Sequence, residues 1–153
     1  MRKSAGILLY RKTDHYEVLL VHPGGPFWAQ KDKGAWSIPK GEYTETEDPL
    51  QAAIREMEEE TGYRPIGPFY PLTPIRQKAG KQVMAWAAAG DFDTDTLQSN
   101  TFKIQWPPKS GKWISVPEVD KAAWFNPKEA REKINPAQIT FIDELLVLLG
   151  SNK

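Results

Sequence analysis

The chain has 153 residues, with 20 Lys plus Arg balancing 20 Asp plus Glu, two His and no Cys. That length suits a single domain, expected to run over 1–153, and the missing cysteines exclude a disulfide framework, a thiolate metal site and a cysteine nucleophile. A formal net charge of zero argues against a broad basic surface for nucleic acid, and 40% hydrophobic with 26% charged residues is the composition of a folded domain.

The first third reads as strands. Ala5–Tyr10 and Tyr16–Val21 are apolar, β-prone runs separated by a short polar stretch, so a hairpin is expected. His22–Gly34 carries Pro23-Gly24-Gly25-Pro26 and reads as a loop, and Trp36–Ile38 reads as a short strand stopped by Pro39. Neither the Ile7–Tyr10 run nor Leu145–Leu149 is long enough for a signal-peptide core or for the ~20 apolar residues of a membrane span. A cytoplasmic protein with no membrane partner is therefore expected.

The clearest helix follows. Asp48 caps it, Pro49 takes the first helical position, and Gln51 stands where the second arm of a capping box belongs. Leu50, Ala53, Ile54 and Met57 make the i, i+3, i+4, i+7 stripe of a helix buried on one side, and Gly62 followed by Pro65 ends it. Strand-like stretches come next at Phe69–Leu72, Val83–Ala89, Phe102–Trp106, Trp113-Ile114 and Ala122–Phe125. Pro127–Ile134 reads as a short helix, and Asn135-Pro136 opens a second long one with the stripe Ile142, Leu145, Leu146, Leu149. Strands dominate and the few helices fall between them irregularly, which predicts an α+β fold with a mixed sheet between helices.

The acidic half of the charge is concentrated. Glu42, Glu45, Glu47, Asp48, Glu56, Glu58, Glu59 and Glu60 lie between Gly41 and Gly62, offset only by Arg55. On a helix Glu56 and Glu60 project in nearly the same direction, with Glu59 one step around. Carboxylates on adjacent turns repel unless a cation sits among them, and oxygen-only ligands suit a hard ion such as Mg²⁺ or Mn²⁺. Taken alone, the helix reads first as a solvated acidic face, with Arg55–Glu59 an ordinary i, i+4 pair. The wider spacing decides between the two.

Gly41, five residues, Glu47, seven residues, then Arg55-Glu56-Met57-x-Glu59-Glu60-x-Gly62-Tyr63 resembles the signature of the Nudix hydrolases, with all seven fixed positions filled. At average residue frequencies that coincidence has a chance of roughly 10⁻⁸ per start site. Met57 and Tyr63 replace the commoner aliphatics at two apolar positions. The resemblance implies a Nudix-type α/β/α sandwich and a metal-assisted attack of water on a phosphoanhydride, with a small-molecule nucleotide as substrate. It implies Mg²⁺ as cofactor, with Mn²⁺ as a substitute. By the same resemblance Glu56 and Glu60 are the principal metal ligands, the Gly41 carbonyl is a further one, and Glu59 is a ligand or the general base. Arg55 orients a carboxylate, and Glu47 steadies the loop before the helix.

A carboxylate from outside the motif often completes such sites. Glu118, just before the last strand, is the candidate, with Asp91, Asp93 and Asp95 as alternatives or turn residues. Pro39-Lys40-Gly41 resembles the dinucleoside polyphosphate and diphosphoinositol polyphosphate hydrolases, whereas MutT-like sanitisers of the nucleotide pool usually carry Pro-Gly-Gly. Lys40 is accordingly a candidate phosphate contact. So are Lys31, Lys33, Arg76, Lys78 and Lys81, while Trp28 and Trp106 are candidates to stack on a base and Trp86 reads as core. The 94–112 stretch reads as an insertion forming a lid or an interface. His15 and His22 read as structural or solvated. A monomer or homodimer that hydrolyses a nucleoside polyphosphate is the expectation, with a non-catalytic nucleotide-sensing domain as the rival.

Overall fold

The two N-terminal apolar runs form antiparallel strands β1 (Lys3–Lys12) and β2 (Tyr16–Pro23), paired from Tyr10↔Val18 to Lys12↔Tyr16 around the polar turn at 13–15. The computed structural model describes residues 2–77 and 80–150, so Lys78 lies outside the described residues. The remaining elements are β3 (Lys40–Glu42), α1 (Pro49–Thr61), β4 (Tyr70–Pro71), β5 (Ile75–Arg76) and β6 (Gln82–Ala89). They are followed by β7 (Thr101–Gln105), β8 (Trp113–Pro117), β9 (Val119–Phe125), α2 (Pro127–Lys133) and α3 (Ile139–Leu148).

Seven strands make one mixed sheet in the order β4-β6-β1-β2-β9, with β3 added to β1 and β5 to β6; only β1 and β6 run parallel. Strands β7 and β8 form a separate hairpin. Both faces of the main sheet are covered, which is why β1 and β2 read as nearly continuous apolar runs rather than alternating ones. The pleat sends Ala5, Ile7, Leu9 and Leu19 to one face, against Ala53, Ile54 and Met57 of α1. It sends Leu8, Val18 and Leu20 to the other, against Ala130 of α2 and Phe141, Ile142 and Leu145 of α3. The α/β/α layering expected from the sequence is present.

Helix α1 begins and ends as its sequence directs. The Asp48 carboxylate accepts a 3.0 Å bond from the Gln51 N–H, and Gly62 closes the last turn at φ 83° while donating to the Glu58 carbonyl. Trp86 is half-buried on β6, packed at the edge of the α1 face.

Three expectations need correction. The Trp36–Ile38 stretch is not a strand: Ser37 and Trp36 make isolated bridges to Val21 and Ile134, and the paired strand β3 starts after Pro39. The reason is that β2 leaves the edge of β1 beyond Val18, so Lys40–Glu42 can occupy that edge opposite Ser4–Gly6. The Pro39 carbonyl contributes by accepting from the Ile7 N–H at 3.1 Å. The helix opened by Asn135-Pro136 is broken into a 3₁₀ turn, Pro136–Gln138, and then α3. The Phe69–Leu72 strand shortens to two residues, and the unexpected β5 adds a second short partner to β6.

Because the Asp48 side chain satisfies one of the free N–H groups of α1, Asp48→Ala should cost about 1 kcal/mol, measured as a lower urea midpoint with an unchanged slope.

Candidate metal centre

Strand β3 brings Gly41 onto the α1 face of the sheet, opposite Ala5, where it meets Glu56. A Cβ built on Gly41 would lie 2.0 Å from Glu56 Oε1, so this position needs glycine because a carboxylate occupies the space. The Lys40 N–H donates to Glu60 Oε1 at 3.3 Å. Glu118 enters from the junction of β8 and β9. Carboxylate oxygens of Glu56, Glu60 and Glu118 all lie within 4.8 Å of one another. Beside them opens a cleft of about 160 Å³ lined by Lys40, Glu60, Glu118, Val21 and Ser37 among others.

Burial and mutual repulsion act on all three acids in one direction. Burial raises the carboxyl of Glu56, and Glu59 and Glu118 add to this while Arg55 opposes it. Burial, with Glu56 and Glu118, pushes Glu60 well above the ordinary carboxylate range. Glu118 is raised by burial and by Glu59. Three hard oxygen donors so closely grouped are a donor set that a Mg²⁺ or Mn²⁺ ion fits.

Arg55 organises the other side of the helix. Its Nε and Nη2 grip the Glu47 carboxylate at 2.8 and 3.0 Å, and its Nη1 reaches Glu56 at 2.7 Å and Glu59 at 3.2 Å. This network raises the Arg55 guanidinium and lowers Glu47. Glu59 therefore stands beside the trio, bonded to Arg55, rather than within it.

The other candidates fall in several places. Asp91 pairs with Arg11, and Asp93 caps the 3₁₀ turn Thr94–Thr96, so of the downstream acids it is Glu118 that joins the cluster. Lys31, Lys33 and Trp28 lie in the loop after β2, the two lysines exposed and Trp28 half-buried. Lys40 leaves β3 on the face opposite Gly41, and Lys81 lies 3.7 Å from Glu42. Arg76 is exposed on β5, three strand spacings and hence roughly 14 Å from β3. The 94–112 stretch contains the 3₁₀ turn and most of the β7–β8 hairpin. A larger depression of about 1190 Å³ lies between the β1–β2 turn and α2–α3, but Arg131 there is already paired with Asp143 and none of the clustered acids line it.

Two positioning residues, Gln138 and Asn100, had no signal in the sequence. Buried Gln138 accepts from the Ile38 N–H at 3.0 Å and donates to Ser37 Oγ at 3.1 Å, fixing the chain that leads into β3. Asn100 donates through its N–H to the Glu59 carbonyl and accepts from the Glu118 N–H, both at 2.8 Å, so it ties Glu118 to α1. His22 is structural: its Nδ1 is 2.9 Å from Asp120 Oδ1 and its Nε2 is 2.7 Å from the Lys31 carbonyl, pinning the loop to β2 and β9.

A mixed sheet between helices, with helix glutamates and a strand glycine presented to one another, is an architecture with known relatives. The model of the NUDIX domain matches residues 1–145, and the chain belongs to that family. Nudix hydrolase 7 of Arabidopsis thaliana is 30% identical over 113 residues, spanning 69% of this chain. The chain matches only 38% of the length of that relative. Among solved structures, a C. elegans Ap4A hydrolase binary complex aligns with a TM-score of 0.68 at 23% identity, covering 96% of this chain and 98% of that one. The NUDIX domain of Shewanella oneidensis NrtR, complexed with ADP ribose, aligns at 0.67 and 18% identity, over 96% and 87% of the two chains. The E. coli ORF135 protein aligns at 0.60 and 24%, over 97% and 92%. At these identities the structures share the fold.

Gly41→Ala pushes its methyl group into Glu56 Oε1, the movable end of a side chain, so the fold should survive while the carboxylate trio is displaced. Mn²⁺ at a hundred times its Kd should raise the wild-type melting temperature by roughly 5–10 °C. In Gly41→Ala, with an unchanged circular dichroism spectrum, most of that rise should vanish.

Proposed function

We propose that this protein is a metal-dependent pyrophosphohydrolase that cleaves a phosphoanhydride bond in a nucleoside polyphosphate, whether a dinucleoside polyphosphate such as diadenosine tetraphosphate or a nucleoside triphosphate. The observation that carries this reading is the trio Glu56, Glu60 and Glu118, crowded within 4.8 Å and facing the glycine of β3. Family membership supports the reaction class, and the motif Pro39-Lys40-Gly41 supports a substrate with several phosphates.

A polyphosphate would be repelled by these acids alone. Glu56, Glu60 and Glu118, with the Gly41 carbonyl as a further donor, would hold Mg²⁺ or Mn²⁺. Such an ion, when bound, neutralises phosphate charge and lowers the pKa of coordinated water. Arg55 keeps Glu56 and Glu59 aimed and restrains their mutual repulsion through its bonds to both. Glu59, bonded to Arg55 on the flank of the trio, would serve as a ligand or accept the proton from the attacking water. In the step itself a water oxygen bonds to phosphorus, the bridging P–O bond breaks, and the departing phosphate keeps the electron pair. Lys40, Lys33, Lys31, Arg76 and Trp28 remain the proposed substrate contacts of this reading.

The rival is a nucleotide-binding domain without turnover, and the intact acids of the motif speak against it. A hydrolysis panel decides: diadenosine polyphosphates, normal and oxidised nucleoside triphosphates, ADP-ribose, nucleotide sugars and diphosphoinositol phosphates, each with Mg²⁺ and with Mn²⁺. Turnover of at least one nucleotide that stops on chelation is expected; inertness on all of them would overturn the reading. Glu60→Gln and Glu59→Gln should each lower kcat by roughly 10²–10⁴-fold with the fold retained. Wild-type rates in both would refute the site assignment.

A further inference from the structure

The β7–β8 hairpin has two unlike faces. Register places Phe102 opposite Val116 and Ile104 opposite Ile114, so these four side chains share one face. Trp106 extends that face by one more alternation, because its N–H continues the ladder to the Lys112 carbonyl at 2.9 Å. The reverse face carries Thr101, Lys103, Gln105, Trp113 and Ser115.

The apolar face is covered at Val116 and partly open elsewhere. Gly25, in the loop after β2, lies against it: a Cβ there would be 3.6 Å from Val116 Cγ2 and 3.9 Å from Ile104 Cδ1. Val116 is accordingly buried, whereas Phe102 is 44% and Ile114 38% exposed. The same loop then presents Phe27, 58% exposed, packed edge-to-face on Trp28 at 5.0 Å, with the Lys31 ammonium 4.8 Å from the Phe27 ring. Exposed aromatics and aliphatics gathered in this way mark a binding surface.

This surface is continuous with the acids. Glu118 follows directly on β8, two residues from Val116, and its carbonyl accepts from the Gly24 N–H at 3.1 Å. The other root of the hairpin is held to α1 through Asn100 and the Glu59 carbonyl. At the strand rise, Ile114 stands roughly 13 Å from Glu118, so the face leads outward from the cluster over about the length of an extended nucleotide-sized ligand.

We propose that the apolar face of the β7–β8 hairpin, with Phe27 and Trp28 of the facing loop, is the surface that receives the aromatic base of the substrate while its phosphates lie at Glu56, Glu60 and Glu118. This rests on the nucleotide-hydrolase reading above and names the residues that select a base-bearing substrate over bare polyphosphate. A flat, apolar ring needs apolar contacts of this kind. The hairpin delivers them from the same backbone that carries Glu118, so recognition of the base and placement of the third acid share one element.

The test uses the full chain and opposite faces of one hairpin. Trp106→Ala and Phe102→Ala should each raise KM for the nucleotide that wild type hydrolyses by roughly 5- to 150-fold, the range for losing a base-stacking side chain, with kcat held. Binding of inorganic tripolyphosphate with Mn²⁺, followed by calorimetry, should stay unchanged in both, and Trp113→Ala on the reverse face should leave KM and kcat unaltered. An unchanged KM in both apolar-face variants, or an equal loss of tripolyphosphate binding, overturns the proposal and leaves the hydrolase reading standing. If wild type binds a nucleotide by calorimetry without turnover, the hydrolase reading fails and the same variants, read as weakened binding, still decide the base surface. If wild type binds no nucleotide at all, the base surface is overturned with it.

Discussion

Three carboxylates within 4.8 Å of one another, partly withdrawn from water, form an arrangement that opposes itself. Burial raises the proton affinity of all three; Glu118 raises Glu56 and Glu60 further, Glu56 raises Glu60, and Glu59 raises Glu56 and Glu118. Arg55 relieves part of the repulsion by bonding Glu47, Glu56 and Glu59, yet within the trio its reach ends at Glu56, and Glu60 and Glu118 take no ion pair among the described residues. The rest of the site holds these charges in place against their repulsion. Gly41 gives up a side chain to make room for Glu56, the Lys40 N–H steadies Glu60, and Asn100 clamps Glu118 to the end of the helix. A divalent cation held among the three oxygens would relieve the repulsion from within.

The geometry depends on an opening in the sheet. Were β2 to stay paired with β1 along its whole length, Lys40–Glu42 would have no edge to occupy opposite Ser4–Gly6 and Gly41 would not reach α1. The opening is maintained from several directions. Gln138 holds Ser37 and Ile38, the Pro39 carbonyl ties to Ile7, and His22 with Asp120 secures the loop that runs between. These are ordinary structural bonds with a functional consequence, because they fix the path of the chain into β3. The same loop packs on the hairpin beside Glu118, so a surface loop and a hairpin are here fastened directly to the acidic cluster.

Much of this was legible in the chain. The caps, the apolar stripe and the terminal glycine of α1 are local signals, set by backbone hydrogen bonding and side-chain periodicity, and they hold in the structure. The spacing from Gly41 to Gly62 carried the family because a fixed helix phase turns sequence separation into a shared face. Expectation failed where partners are distant. Trp36–Ile38 has the composition of a strand, yet Pro39 does not stop the pairing and the ladder forms on its far side. Asn135-Pro136 has the signature of a helix start, but the helix proper waits until Ile139, after Gln138 has turned inward to bond Ser37 and Ile38.

The sequence by itself determined the acidic helix, its ends, the layered fold and the hard-oxygen character of the site, all consequences of interactions between residues near in the chain or of a fixed period. Only the tertiary structure decided that Glu118 rather than Asp91 or Asp93 joins Glu56 and Glu60, and that the hairpin presents one apolar face next to the loop after β2. Those outcomes rest on contacts between residues tens of positions apart. Such contacts are set by how the sheet opens and where the hairpin is rooted, which no local preference along the chain encodes.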